Sequence, residues 1–221
     1  MGSRATYILV GANVTIWLFI TFFVSRSQAV LSSFLLTFGV VPIFVVNGVN
    51  LFSLITYMFV HVDFFHILLN MYALLLFGRD VEDYVGTGKF LFLYFVSGVA
   101  AALFHVFYFV AFLSLNCSPY VRPIPQTCLI PSIGASGAIF GLMGAYLVFF
   151  PFRRLYAFLG FIPIVAPAFA VIGFFVLIQT LFMLTTPFST IAYTAHVGGF
   201  AAGLLLSLPF REMKTTYFFY E

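Results

Sequence analysis

The charged side chains of this chain sit almost entirely in the gaps between long apolar runs. A water-soluble domain has roughly a quarter of its residues charged, whereas here 7% of 221 residues are charged and 63% are hydrophobic. Lipid is the surrounding that suits such runs, and only segments that satisfy their own backbone can cross it. The constraint points to an all-α polytopic membrane protein whose immediate partner is the bilayer. A net charge of +3, scattered along the chain, gives no argument for nucleic acid.

Six segments are expected, at about 5–24, 64–78, 90–113, 134–150, 157–184 and 190–209. A helix rises about 1.5 Å per residue and must cover about 30 Å of hydrocarbon, so the second and fourth are short. The apolar stretch 31–60 is interrupted by Pro42, Asn47, Gly48 and Asn50 and separated from the second segment by His61 and Asp63. It reads as a long interfacial first loop, with Asp63 capping the next helix. The alternative is one continuous span over 51–77. A single membrane domain over 1–221 is expected, with no room for a separate soluble domain.

With a cytoplasmic N-terminus, Arg4, Arg79, Lys89, Arg153, Arg154, Arg211 and Lys214 fall inside and only Arg26 and Arg122 outside. Cytoplasmic loops carry the excess of cations, so six spans with both termini cytoplasmic are expected, in the plasma membrane of a prokaryote. The first run is too long for the apolar core of a signal peptide. The opening Met1-Gly2-Ser3-Arg4-Ala5-Thr6 fits a loose myristoylation pattern, a short match beside a span. Cys117 and Cys128 share an outside loop where a disulfide is permitted, although spacing alone leaves open whether the sulfurs meet. No metal pattern emerges from two cysteines and four histidines, and no cofactor is expected.

Counting back to the nearest cytoplasmic cation places Ser136, His196 and His66 about 25, 22 and 20 Å above that side. Asn70 lies one turn below His66 on the same face. Four polar groups on three helices therefore share one level, where an ionisable residue is expensive and marks a functional site. Each alone has a plainer explanation: Ser136 bonding its own backbone, His66 and Asn70 meeting water at a helix end. A shared depth favours function.

The chemistry of that set is acyl transfer, with Ser136 as nucleophile and His196 as general base. Oxyanion donors would be the Ser136 backbone N–H and the side chains of His66 and Asn70. Asp63, Asp80, Glu82, Asp83, Glu212 and Glu221 all lie at segment ends, so the pair is a dyad and something other than an acid must hold the imidazole. Phe140, one turn from Ser136, can stack on the ring. Gly134 and Gly137 flank the serine. Gly137, Gly141 and Gly144 line one side of segment four, and Ala195, Gly199 and Gly203 line one side of segment six. Small residues at this spacing let two membrane helices approach closely.

These residues carry a resemblance to the rhomboid intramembrane serine proteases. It rests on Gly134-Ala135-Ser136-Gly137, on His66-Ile67-Leu68-Leu69-Asn70, on Ala195-His196 followed by Gly199 and Gly203, and on the Gly78-Arg79 turn leading through Glu82 to Gly86. It spans about 60–210. The resemblance implies a six-transmembrane-helix rhomboid-like bundle, with no appended domain or seventh helix, and single-pass transmembrane substrates cut near the outer membrane boundary. The Trp-Arg pair that many members carry in the first loop is absent, the only tryptophan being Trp17, and Phe140 stands where some members carry tyrosine. Two other classes remain in view. A catalytically inactive rhomboid-like protein would bind membrane proteins but lose Ser136 or His196, both present here. A small transporter would show an internal repeat, and none is found.

Overall fold

The computed structural model describes residues 2–120, 122–159, 162–189 and 191–211. Lys214, Glu212 and Glu221 lie outside the described residues. Five helices are long and apolar enough to cross a membrane: α1 (Arg4–Val24), α3 (Phe64–Val85), α4 (Thr87–Phe112), α6 (Ala168–Thr185) and α7 (Tyr193–Phe210). Two shorter apolar helices join them, α2 (Gln28–Phe38) and α5 (Ser136–Phe149). The protein is a multi-pass integral membrane protein with a helical bundle, and its one described sheet is a two-stranded hairpin.

The hairpin corrects the expected fifth span. Residues from 157 onward do not begin a helix. β1 (Arg154–Leu159) pairs antiparallel with β2 (Ile162–Pro167), Arg154 opposite Pro167 and Tyr156 opposite Val165. Pro163 and Pro167 lack the N–H a helix interior requires, so the helix starts only at Ala168, past the second proline.

The second span also differs. Gly78-Arg79 is not a turn: α3 passes through Leu74–Gly78 as a widened π-type turn and runs on to Val85. Gly86, at φ +81°, then ends it in a conformation that favours glycine. The extra turns carry Glu82 to the start of α1, where its carboxylate accepts from the Ala5 and Thr6 amides at 2.9 and 2.8 Å and from the Thr6 hydroxyl at 2.8 Å. Such amides have no intrahelical partner and favour an anion, so Glu82 ties the two helices. Asp63 caps α3 as expected, accepting from the His66 amide at 2.7 Å.

The first loop is not one irregular stretch. It holds α2 and short helical pieces at Pro42–Val46, Ser53–Thr56 and Tyr57–Phe59, and an extended break at 60–63 rules out a single 51–77 helix. Without the Trp-Arg pair, polar side chains fasten this loop to backbone. Asn50 donates to the Leu36 and Thr37 carbonyls and Thr56 to that of Phe38. Asn47 reaches the Cys117 carbonyl at 3.3 Å.

Helix α5 is the centre of the bundle. At 14 residues it covers only about 21 Å, so the backbone leading to Ser136 lies at membrane depth without helical bonds. Irregular backbone survives there only when protein satisfies it. Val40 and Ser132 exchange a pair of amide-to-carbonyl bonds at 2.9 and 2.8 Å, and the Gly134 amide donates to the Tyr57 carbonyl at 2.9 Å. The Ala135 amide donates to Nε2 of His61 at 3.3 Å. Every residue of α5 from Gly137 to Tyr146 is buried, enclosed chiefly by α4 and α7.

Candidate active site

Ser136 is the first residue of α5 and His196 lies in the first turn of α7. Their side chains meet: Oγ of Ser136 is 2.8 Å from Nε2 of His196. The approach depends on missing side chains. A Cβ on Gly199 would collide with the Gly137 carbonyl oxygen, one on Gly203 with the Gly141 carbonyl, and one on Gly144 with the backbone at Phe200 and Leu204. Added side chains on Gly137 and Gly141 would instead strike Ala101 and Ser97. The small residues of α5 thus serve α4 as well as α7, a wider role than the two-helix contact expected from spacing.

The imidazole is held on three sides. Phe140, one turn along α5, lies against its face with centroids 4.4 Å apart and planes 6° from parallel. Gln179 of α6 presents Oε1 at 2.7 Å from Nδ1 of His196. Nε2 is left facing Ser136. The ring of Tyr193 lies edge-on, 6.4 Å away.

A cavity of about 610 Å³ opens over this pair. His66 and Asn70 of α3 line it with Ser136 and His196, and its far wall is formed by Thr127 and Ile130–Ile133. Asn70 is 7% exposed and donates from Nδ2 to the His66 carbonyl at 2.8 Å, which leaves its second amide hydrogen for another acceptor. Gly134 has φ +110°, and any Cβ there would run into the His66 ring. Both facts require glycine at that position.

The structure therefore brings Ser136, His196, His66, Asn70, Gly134, Phe140, Gly137 and Gly199 into one neighbourhood. Cys117 and Cys128 are joined as a disulfide, their Cα atoms 5.5 Å apart. They pack with Val41 and Ile43 of the first loop, so the bridge fastens the segment that continues to the cavity wall. Among the described residues no group of three His, Cys, Asp or Glu side chains converges as a metal site.

Two site residues lie beyond the sequence expectations. His61 enters those only as a loop marker, yet it is fully buried, accepts the Ala135 amide and sits edge-on to His66 with centroids 4.8 Å apart. Its signal is the pair of histidines five positions apart around a cap. Gln179 has a clearer signal: it is the only amide or charged side chain in α6.

A rhomboid domain family model matches residues 48–213. Among curated relatives, rhomboid protein 1, mitochondrial, of Saccharomyces cerevisiae is 31% identical over 112 residues, 50% of this chain and 29% of the relative. RHOMBOID-like protein 12, mitochondrial, of Arabidopsis thaliana is 30% identical over 159 residues, 71% of this chain and 45% of the relative. Rhomboid protease GluP of Bacillus subtilis is 35% identical over 94 residues, 42% of this chain and 15% of the relative. The chain thus spans less than half the length of each of these relatives. The family match begins in the first loop, ends beyond α7 and takes in every residue that lines the cavity, and this chain belongs to the rhomboid family.

Proposed function

We propose that this protein is an intramembrane serine endopeptidase that cuts transmembrane segments of single-pass membrane proteins near their outer boundary through Ser136 and His196. The observation that carries the reading is the 2.8 Å contact between Ser136 Oγ and His196 Nε2, made at the floor of a cavity inside a membrane bundle. A serine hydroxyl becomes a competent nucleophile when an adjacent imidazole takes its proton. Attack on the scissile carbonyl then gives a tetrahedral oxyanion, for which the Ser136 amide, the free amide hydrogen of Asn70 and the His66 ring are the nearby donors. The proton held on His196 passes to the leaving amine. Water, deprotonated by the same imidazole, hydrolyses the acyl-enzyme and returns Ser136.

Charge and sulfur chemistry together argue for the side of the membrane. The site lies at the start of α5, whereas Arg153, ion-paired with Asp80 at 3.1 Å, lies just past its end. Cytoplasmic cations and an exoplasmic disulfide fit this arrangement with both termini inside. Two of the relatives carry mitochondrial names; we assign this chain to a prokaryotic plasma membrane on its cation distribution.

The test is purified Ser136→Ala protein beside wild type, offered a labelled single-pass substrate and a fluorophosphonate probe. Wild type should cleave and take up the probe; Ser136→Ala should fold, bind substrate and do neither. Cleavage by Ser136→Ala at the wild-type rate would remove the assignment. A wild type that binds transmembrane segments without cutting them would leave the inactive binding protein as the better description.

A further inference from the structure

We infer that Gln179 is a positioning residue for His196, completing a Ser-His-Gln arrangement in which a neutral amide on α6 takes the place a carboxylate occupies in a triad. The inference rests on the dyad reading for its catalytic consequence, but its structural part stands on the geometry of the ring.

The first observation is where Gln179 aims its acceptor. Its Oε1 lies 2.7 Å from Nδ1 of His196, and an amide oxygen can only accept. With the amide in this orientation Nδ1 carries the proton, and Nε2 of the neutral ring is left as a bare lone pair, 2.8 Å from the Ser136 hydroxyl. The other tautomer would put a hydrogen on Nε2, leaving no site for the serine proton, and would require the Gln179 amide to turn over and donate to Nδ1. Which nitrogen of a histidine is basic is set by the bond the other makes.

The second observation is that nothing else explains the residue. Helix α6 is almost wholly apolar, with only Ala168, Ile172 and Met183 buried. Its hydroxyls bond their own helix, Thr180 to the Val176 carbonyl and Thr185 to that of Leu181. A primary amide facing hydrocarbon costs free energy unless it is bonded, and the bond it makes here crosses to the base. Phe140 sets the plane of the ring but has no atom that selects a tautomer. Gln179 supplies that selection and stabilises the imidazolium formed when Ser136 gives up its proton.

Two variants separate this role from packing. Gln179→Met keeps the length and apolar surface of the side chain and loses the acceptor; Gln179→Glu keeps an acceptor. With ¹⁵N-histidine-labelled protein in micelles, the His196 signals, assigned by their loss in His196→Ala, should show a protonated Nδ1 and a bare Nε2 in wild type. Gln179→Met should give a tautomer mixture. In cleavage assays kcat should fall about 10–100-fold in Gln179→Met with KM little changed, the size expected for the hydrogen-bond partner of a working histidine. Gln179→Glu should recover most of that rate. An unchanged tautomer and an unchanged kcat in Gln179→Met, with Ser136→Ala inactive, would overturn the role of Gln179 and leave the dyad standing. Cleavage by Ser136→Ala would sink the dyad instead, and the tautomer measurement would still decide whether Gln179 orders the ring. A loss in Gln179→Met that Gln179→Glu does not restore, without a tautomer change, marks packing and refutes the inference.

Discussion

A buried histidine holds the backbone just ahead of the candidate nucleophile, and protonation would break that hold. His61, in the connection ahead of α3, accepts the Ala135 amide through Nε2 and so holds the backbone just before Ser136. Burial, and then the neighbouring His66, push its pKa down to about 3, whereas an unfolded chain would titrate near about 6.5. Between those values the unfolded state binds the extra proton, so this contribution to stability is full above about pH 6.5 and is lost as pH falls toward 3. The bond itself fails because a protonated Nε2 becomes a donor facing a donor. Melting followed in detergent from pH 7.5 to 4.5 should show Tm dropping in wild type and dropping less in His61→Gln, which keeps an acceptor without titrating. Parallel curves for the two proteins would show that His61 is not the sensor. Ser136 and His196 are legible in sequence because a reactive group is conspicuous in an apolar helix. Gln179 stands out as the one amide in α6, but its role is not legible, since its partner, 17 positions away, is visible only once α6 and α7 pack.

At the level of elements, the spans set by continuous apolar runs are readable and the hairpin is not. Apolar strands and apolar helices look alike to hydropathy, and only the prolines in 157–167 mark the difference. Glycine spacing, by contrast, announces the α5–α7 contact well, because a helix face of small residues has few uses besides close packing. That contact can be tested by overfilling it. Gly199 lies so near Gly137 that even a methyl would strike the carbonyl oxygen. Gly199→Leu should cost about 1–3 kcal/mol in overpacking. The rate loss should be larger, since a shift of about 1 Å between reacting groups can lower a rate about 10²-fold. Cleavage by monodisperse Gly199→Leu protein should collapse beside Phe174→Leu, a change on the exposed face of α6. Equal rates in the two variants would mean that the dyad does not depend on this helix contact.

Across the whole molecule, the two ends of the bundle differ in chemistry. Beyond the C-terminal end of α5, Arg153 pairs with Asp80, which also accepts from the Tyr146 hydroxyl at 3.2 Å, and Arg154 opens the hairpin. At the other end lie the disulfide, the cavity and the start of α5. Cations held at one face resist translocation, and a disulfide persists on the oxidising side, so both arguments support the proposed orientation although they rest on unrelated physics. In that proposed orientation Ser136, about 21 Å from the cationic end by the rise of α5, would lie in the outer part of a hydrocarbon layer about 30 Å thick. Orientation and cleavage depth thus stand or fall together. In intact cells reduced at the surface, Cys117 and Cys128 should react with an impermeant thiol reagent added outside. A cysteine replacing Arg153, in a chain whose native cysteines are changed to serine, should react only after the membrane is permeabilised. Labelling of that cysteine from outside in sealed cells would invert the bundle, bring the cavity to the cytoplasmic face, and move the expected cut in a substrate to the inner end of its transmembrane segment.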